Sequence, residues 1–290
     1  NHSCRPNCAH MFNESSQLYE VHALETLEPG DELTISYLGE NKWHLPTDQR
    51  RSILHKNYGF QCMCRRCHQA STLCTEGILA AERELECLCC QQCKVTATNS
   101  SRSTLEHLHG EIEELRAHLF DKHGHGTTSE QGGFCYALDP HAGEDLAGYS
   151  KCTRCGKENE WDRMDAVTIE VFYGLNSTLE MHDRLEECEK KLVEWSLYAR
   201  QWFHPSHWLN YKLYASLQAV SKDLAIRTRE SNEKTDEYAY HVALHTLCSL
   251  HLLAFGTDVV HPRSSVISTI KENAAIAIRT YCDACHIAGD

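Results

Sequence analysis

Three cysteines, Cys62, Cys64 and Cys67, crowd into the short stretch "GFQCMCRRC". A structural zinc ion takes four sulfur or nitrogen ligands in a tetrahedron, so such a trio can wrap one face of the ion and leave one position for a ligand from elsewhere. Cys4, in the opening octet "NHSCRPNC", is the candidate for that position. Closing the site would pin the N-terminal turn to a segment far along the chain, and the metal-binding free energy would then be part of folding itself.

A second set pairs Cys90 and Cys93 with Cys152 and Cys155. Two C-x-x-C knuckles make a four-thiolate zinc site of ribbon type, and the sequence between them can protrude as an insertion without disturbing the metal. Cys87 with Cys90 is a competing first knuckle. Cys8, Cys74, Cys135, Cys188 and Cys248 read as plain buried or surface thiols, and Cys282 with Cys285 as a helix-end pair that has no partner knuckle.

The cysteine total of 17 is odd, and its clustering suits metal thiolates better than a disulfide ladder. That implies a reducing compartment, cytoplasmic or nuclear. The sequons at Asn13, Asn99 and Asn176 are then accidental matches to a short motif. With 41 acidic against 28 basic residues and a formal charge of −13, a broad phosphate-binding surface is not expected. Direct nucleic-acid binding is disfavoured, and a basic peptide is a better-matched partner. No run of about 18 uncharged apolar residues occurs, and no charged-then-apolar leader, so no membrane partner is expected. At 290 residues and 41% hydrophobic content, two or more domains with real cores are expected.

The elements that must position these cysteines are legible in the periodicity. Tyr19, Val21 and Ala23 alternate with polar residues, Pro29 and Gly30 supply turn chemistry, and Leu33, Ile35 and Tyr37 alternate again. The pattern predicts two short strands joined by a turn. A polar helix is predicted from Thr47 to Asn57. Leu105, Leu108, Ile112, Leu115 and Leu119 form one narrow helical stripe, opened by a Ser103–Glu106 capping box and stopped at Gly124. Such a stripe is short for a coiled coil and is expected to dock on its own protein. Residues 124–148 read as a loop rich in Gly, His, Ser and Thr, and the histidines at 118, 123, 125 and 141 as solvated. From about Met164 onward the pattern is all-helical, with helices around Leu185–Trp202, Leu213–Leu224, Tyr238–Phe255 and Val266–Tyr281, joined by short turns such as "HPSHW".

Three ordered motifs carry a family resemblance. "NHSCRPNC" resembles the N-H-S-C-x-P-N signature of SET-domain lysine methyltransferases, "PGDELTISY" their G-E-E-L-T-x-S-Y motif, and "YGFQCMCRRC" the post-SET zinc segment of the SMYD-type subgroup (SET and MYND). The resemblance implies an α+β fold. Residues 1–57 would be the C-terminal portion of a β-rich SET domain and 58–72 the post-SET zinc segment. Residues 85–160 would be a zinc ribbon with a helical insertion, and 161–290 an α-helical TPR-like domain. It implies two zinc sites and S-adenosylmethionine as cofactor. Asn1 and His2 would lie against that cofactor, Tyr58 would help wall the lysine channel and Phe60 would stack on the adenine. Tyr37 would be the catalytic tyrosine.

The implied activity is methyl transfer to a lysine side chain of a protein substrate. The family's Gly-x-Gly cofactor loop and first strands precede its N-H-S-C motif, so the chain is expected to begin inside a methyltransferase domain and to be inactive alone. A competing reading is a non-catalytic zinc-and-helix module whose helical hairpins bind a partner peptide or chaperone tail. A ubiquitin-ligase-like cross-brace is disfavoured, because the cysteine pairs lack the interleaved spacing it needs.

Overall fold

The computed structural model describes residues 1–39, 42–69, 84–90, 105–120, 134–135, 149–152, 154–156, 158–181, 183–231, 235–259 and 265–288. The architecture is mixed: a small strand-bearing N-terminal part, cysteine-bearing segments, and a helical C-terminal part. Among the described residues strands pair two by two.

Strands β1 (Cys8–Asn13) and β2 (Leu18–Ala23) form an antiparallel hairpin with Cys8 opposite Ala23 and Asn13 opposite Leu18. Its turn is set by Asn13, whose Oδ1 accepts from the backbone N–H groups of Ser15 and Ser16 at 2.9 and 3.2 Å, an Asx-type turn. The first half of the expected strand pair is therefore present as β2. The second half is not a laddered strand: Leu33–Tyr37 is extended but meets the opening turn in a single parallel bridge, His2 to Ile35. The physical reason is its partner. Ile35 N–H donates to Asn1 O at 2.9 Å and Ser3 N–H to Ile35 O at 3.0 Å, and the bends at residues 4, 5 and 7 interrupt the ladder. Pro29–Gly30 does make the expected turn, with Gly30 at φ +100° and Asp31 N–H donating to Glu28 O at 3.0 Å.

Helix α1 (Thr47–Tyr58) matches the polar helix of the sequence and ends where Gly59 adopts φ +74°, its N–H donating to His55 O. That left-handed residue is a standard C-terminal stop, and it turns the chain so that Phe60 and the cysteine trio double back on the helix. The short helix α2 (Arg65–Gln69) carries Cys67.

Helix α3 (Leu105–Phe120) buries Leu108 and Ile112 in the main core, so the heptad-like stripe docks on its own protein. Ser103 and Gly124, the expected cap and stop, lie outside the described residues, as do the loop histidines 123, 125 and 141. The remaining pairs are β3 (Leu88–Cys89) with β4 (Phe134–Cys135) and β5 (Tyr149–Lys151) with β6 (Glu158–Glu160).

Helices α4 (Trp161–Leu179), α5 (Leu185–Ala199), α6 (Trp208–Ser231), α7 (Thr235–Val259) and α8 (Ser265–Ala288) complete the chain. Leu209, Leu213 and Leu217 of α6 share the core with Val242, Ala243 and Leu247 of α7, the apolar stripe that the sequence displays at helical spacing. The "HPSHW" turn between α5 and α6 ties residues 84–90 to this core. Cys89 N–H donates to Trp202 O at 2.7 Å, His204 N–H to Cys87 O at 2.9 Å and Trp208 N–H to Leu85 O at 3.0 Å. The N-terminal part meets the helices through Trp43, 4.9 Å from the Tyr211 ring, and His44, stacked on Tyr211 at 4.1 Å. Among the described residues no helix is long and apolar enough to cross a membrane.

Candidate active site and metal centres

The sulfurs of Cys4, Cys62, Cys64 and Cys67 all lie within 4.8 Å of one another. Cys4 Sγ is 3.9 Å from Cys62 Sγ and 3.5 Å from Cys67 Sγ. Around a tetrahedral zinc with Zn–S bonds of about 2.3 Å, sulfurs stand roughly 3.8 Å apart. The spacing therefore fits the ion, and so does the surrounding chemistry.

Four thiolates on one zinc leave about two negative charges, which burial makes costly unless they are compensated. Arg50, wholly buried in α1, donates through Nη2 to Cys67 Sγ at 3.6 Å and to Thr47 Oγ1 at 3.0 Å, and through Nη1 to Leu45 O. Arg66, also buried, donates to Cys4 O at 3.2 Å and Trp43 O at 2.9 Å. Arg51 holds the carbonyls of Cys62 and Cys67 at 3.1 and 3.2 Å. Cys4 N–H points at Cys64 Sγ at 3.4 Å. Hydrogen bonds from Cys4, then Cys64 and Cys67, hold the Cys62 thiol well below the usual thiol range.

The second set assembles in the same manner. Cys90, Cys152 and Cys155 converge within 4.8 Å, with Cys90 Sγ 3.8 Å from Cys155 Sγ. Cys152 Sγ accepts from the N–H groups of Arg154 and Cys155 at 3.3 and 3.5 Å, and Gly156 at φ +69° closes the knuckle with its N–H on Cys152 O at 3.0 Å. Such N–H donors suit a metal-bound thiolate, which accepts hydrogen bonds and offers none. Cys93 lies outside the described residues. Cys87, the competing ligand, is buried nearby and is not in the converging group.

Against the first cluster stands a cavity of about 520 Å³, in the size range of small-molecule sites. Asn1, His2, Tyr37 and Phe60 line it together, which brings four of the five expected cofactor and catalytic residues onto one site, and Cys62 and Cys64 form the adjoining wall. The aromatic rings touch in series. Tyr37 is 5.3 Å from His2, 5.1 Å from Tyr58 and 6.3 Å, edge-on, from Phe60. Tyr58, half exposed, also stands 6.4 Å from Phe60, and its hydroxyl donates to Tyr37 O at 3.3 Å. It is not among the residues that line the cavity.

The opening turn is held in place by side chains as well as backbone. Asn1 Nδ2 donates to Glu32, and Asn7 brackets Thr34, with Thr34 N–H donating to Asn7 Oδ1 at 2.8 Å and Asn7 N–H to Thr34 Oγ1 at 3.2 Å. Ser3, Glu32, Thr34, Met63 and Arg65 complete the lining; each lies within one of the three motifs, but none has a side chain that the sequence marks out as a site residue by itself. Arg50 was equally hidden, as one charge among many on a polar helix.

The comparisons with known proteins agree with this part of the chain. Residues 1–38 match the SET domain family. Over 67 residues the chain is 43% identical to the human protein-lysine N-trimethyltransferase SMYD5. Over stretches of the same length it is 42% identical to the human histone-lysine N-methyltransferase SMYD3 and 36% to the fission yeast histone-lysine N-methyltransferase set5. The aligned stretch is 23% of this chain and 16%, 14% and 20% of those relatives, respectively. Over this short stretch the chain is similar to SMYD-type SET proteins.

Proposed function

We propose that the protein is an S-adenosylmethionine-dependent protein-lysine methyltransferase, with the cavity beside Tyr37 as its cofactor site and both cysteine sets as structural zinc centres. The observation that carries this reading is the meeting of Asn1, His2, Tyr37 and Phe60 on one cavity whose next wall is the four-cysteine cluster. The cofactor would supply a methyl group on a sulfonium, transferred in line to the neutral amine of a substrate lysine. The residues present suit that task. Aromatic faces such as Tyr37 and Phe60 attract a sulfonium cation, and the Tyr37 hydroxyl can orient the methyl without acting as a strong base. Phe60 offers a flat apolar face for the adenine, and the first zinc would fix Cys62 and Cys64, hence the wall on which Phe60 sits.

Positioning would carry most of the acceleration. The aligned stretch is at most 20% of the relatives named, the 290 residues by themselves are expected to turn over negligibly, and the activity test belongs to the full-length gene product. Labelled S-adenosylmethionine and a protein or peptide substrate pool should give methyl-lysine, and Tyr37→Phe should lower the rate at least 100-fold, a loss of about 3 kcal/mol of transition-state stabilisation. A full-length, zinc-loaded protein that binds no S-adenosylmethionine would overturn the reading.

A partner role for the helices has its own support. A cavity of about 180 Å³ opens between Trp43 and helices α6 to α8, lined by Tyr211, Gln218, Ser249 and Asn273 among others. Amide and hydroxyl groups beside aromatic faces suit a peptide segment of a partner or chaperone tail. Titration of labelled peptides against Gln218→Ala and Asn273→Ala variants would test it.

A further inference from the structure

The His2 ring lies between the metal cluster and the tyrosine, and both of its nitrogens are used. Nδ1 accepts the backbone N–H of Tyr37 at 3.0 Å. A backbone N–H can only donate, so Nδ1 carries no proton, and in the neutral ring the proton resides on Nε2. Nε2 is 3.4 Å from Cys4 Sγ, within reach of a hydrogen bond to sulfur. The ring also packs in a triangle with Tyr37 and Phe60, at 5.3 and 5.9 Å between centroids, with those two rings 6.3 Å from each other.

We propose that His2 is a positioning residue that links the Cys4 sulfur to the backbone of Tyr37, so that metal at the first cysteine cluster also fixes the tyrosine. This rests on the reading of that cluster as a zinc centre and of Tyr37 as the reactive tyrosine. A zinc-bound thiolate accepts hydrogen bonds only, which keeps the proton on Nε2 and leaves Nδ1 free to accept from Tyr37. The His2 side chain thus serves the protein: its ring nitrogens are occupied by Tyr37 N–H and Cys4 Sγ before any ligand enters. A zinc ligand two residues from a cavity-lining histidine then does more than staple the chain. It sets the tautomer that holds the Tyr37 peptide.

Two variants separate the two bonds. In His2→Asn the side-chain oxygen stands near the place of Nδ1, keeping an acceptor for Tyr37 and removing the donor to Cys4. In His2→Gln the side-chain nitrogen reaches toward the place of Nε2, keeping the donor and removing the acceptor. The readouts are zinc release from the first site under chelator, resolved from the second by a Cys152→Ser background, and amide hydrogen exchange at Tyr37 in the zinc-loaded chain. The expected pattern is a crossover. His2→Asn releases zinc about 10–100-fold more readily, the usual size for losing a partner of a metal ligand, with the Tyr37 amide still protected. His2→Gln holds zinc like the native chain while the Tyr37 amide exchanges at least 10-fold faster, and His2→Ala shows both losses. If Asn and Gln change the two readouts alike, or neither readout moves, His2 is a packing residue and the proposal fails while the zinc reading stands. A native chain that holds no zinc at the first cluster overturns both.

Discussion

The guanidinium of Arg50 lies 3.6 Å from the Cys67 sulfur while being wholly shielded from water. A buried cation needs a buried counter-charge, and a thiolate cluster on zinc supplies one. With zinc bound the two features would explain each other: the anionic cluster would tolerate burial because Arg50 reaches it, and Arg50 would tolerate burial because the cluster would supply its counter-charge. Replacing Arg50 by Leu should therefore cost about 3–5 kcal/mol of stability and raise zinc release from the first site by about 10–100-fold. Arg50→Lys should recover little, since one ammonium cannot reach Leu45 O, Thr47 Oγ1 and Cys67 Sγ together. Urea unfolding and chelator competition on the same samples check both numbers; unchanged zinc release in Arg50→Leu would break the link.

Helix α4 approaches α5 closely at Gly174, where an added Cβ would fall inside the Trp195 indole. Gly174→Ala should destabilise by about 1–3 kcal/mol through overpacking, even though Ala is the better helix former. Trp195→Leu in the same chain should return part of that loss. A Gly174→Ala variant as stable as the native chain would mean that the two helices stand farther apart.

The histidines of the "HPSHW" turn set a pH dependence. His207 is fully buried and stacked on Phe203 at 4.1 Å, with Nδ1 accepting from Leu209 N–H at 3.3 Å, and Nδ1 of His204 accepts from Ser206 N–H at 3.1 Å. Burial pushes His204 down to about 4, and burial with the neighbouring His204 pushes His207 down to about 3. In the unfolded chain both titrate near 6.5, so below that pH the unfolded state binds more protons and stability falls as pH drops toward 4 and 3. At pH 5 each ring should have cost about 2 kcal/mol relative to pH 7. Acid also competes for the cysteine ligands, so the comparison is with His207→Asn, which keeps the acceptor. Its stability should change less between pH 7 and pH 5 by about that amount, and an identical pH dependence would contradict the assignment.

Much of the site was legible because thiols at this density have few other uses. Cys4 with Cys62, Cys64 and Cys67 could be grouped from spacing and the motif alone, and the Leu108–Ile112 stripe announced a docked helix. The choice between Cys93 and Cys87 as the partner of Cys90 is open in the sequence, since both stand three residues from it; in three dimensions Cys90 converges with Cys152 and Cys155 without Cys87, and Cys93 lies outside the described residues. Strand β1 has no clear signal in the sequence, because in Cys8–Asn13 the apolar residues fall in adjacent pairs, Cys8 with Ala9 and Met11 with Phe12, and do not alternate with polar ones. The Leu33–Tyr37 alternation predicts a strand, yet alternation reports which side chains share a face and is silent about whether an edge is there to pair with. Arg50 and the second role of His2 were invisible for a simpler reason. A single charged or titratable residue acquires its meaning from what folding places beside it.

Whether the two cysteine sets are metal centres decides the most, because Cys62 and Cys64 wall the cavity beside Tyr37 and Cys4 holds its opening turn. The measurement is elemental mass spectrometry of the purified chain, with thiols titrated before and after chelation. About two zinc ions per chain, and about eight thiols that react only after chelator, are expected from Cys4, Cys62, Cys64, Cys67, Cys90, Cys93, Cys152 and Cys155. A folded chain that carries no zinc, with those thiols reactive from the start, would contradict it.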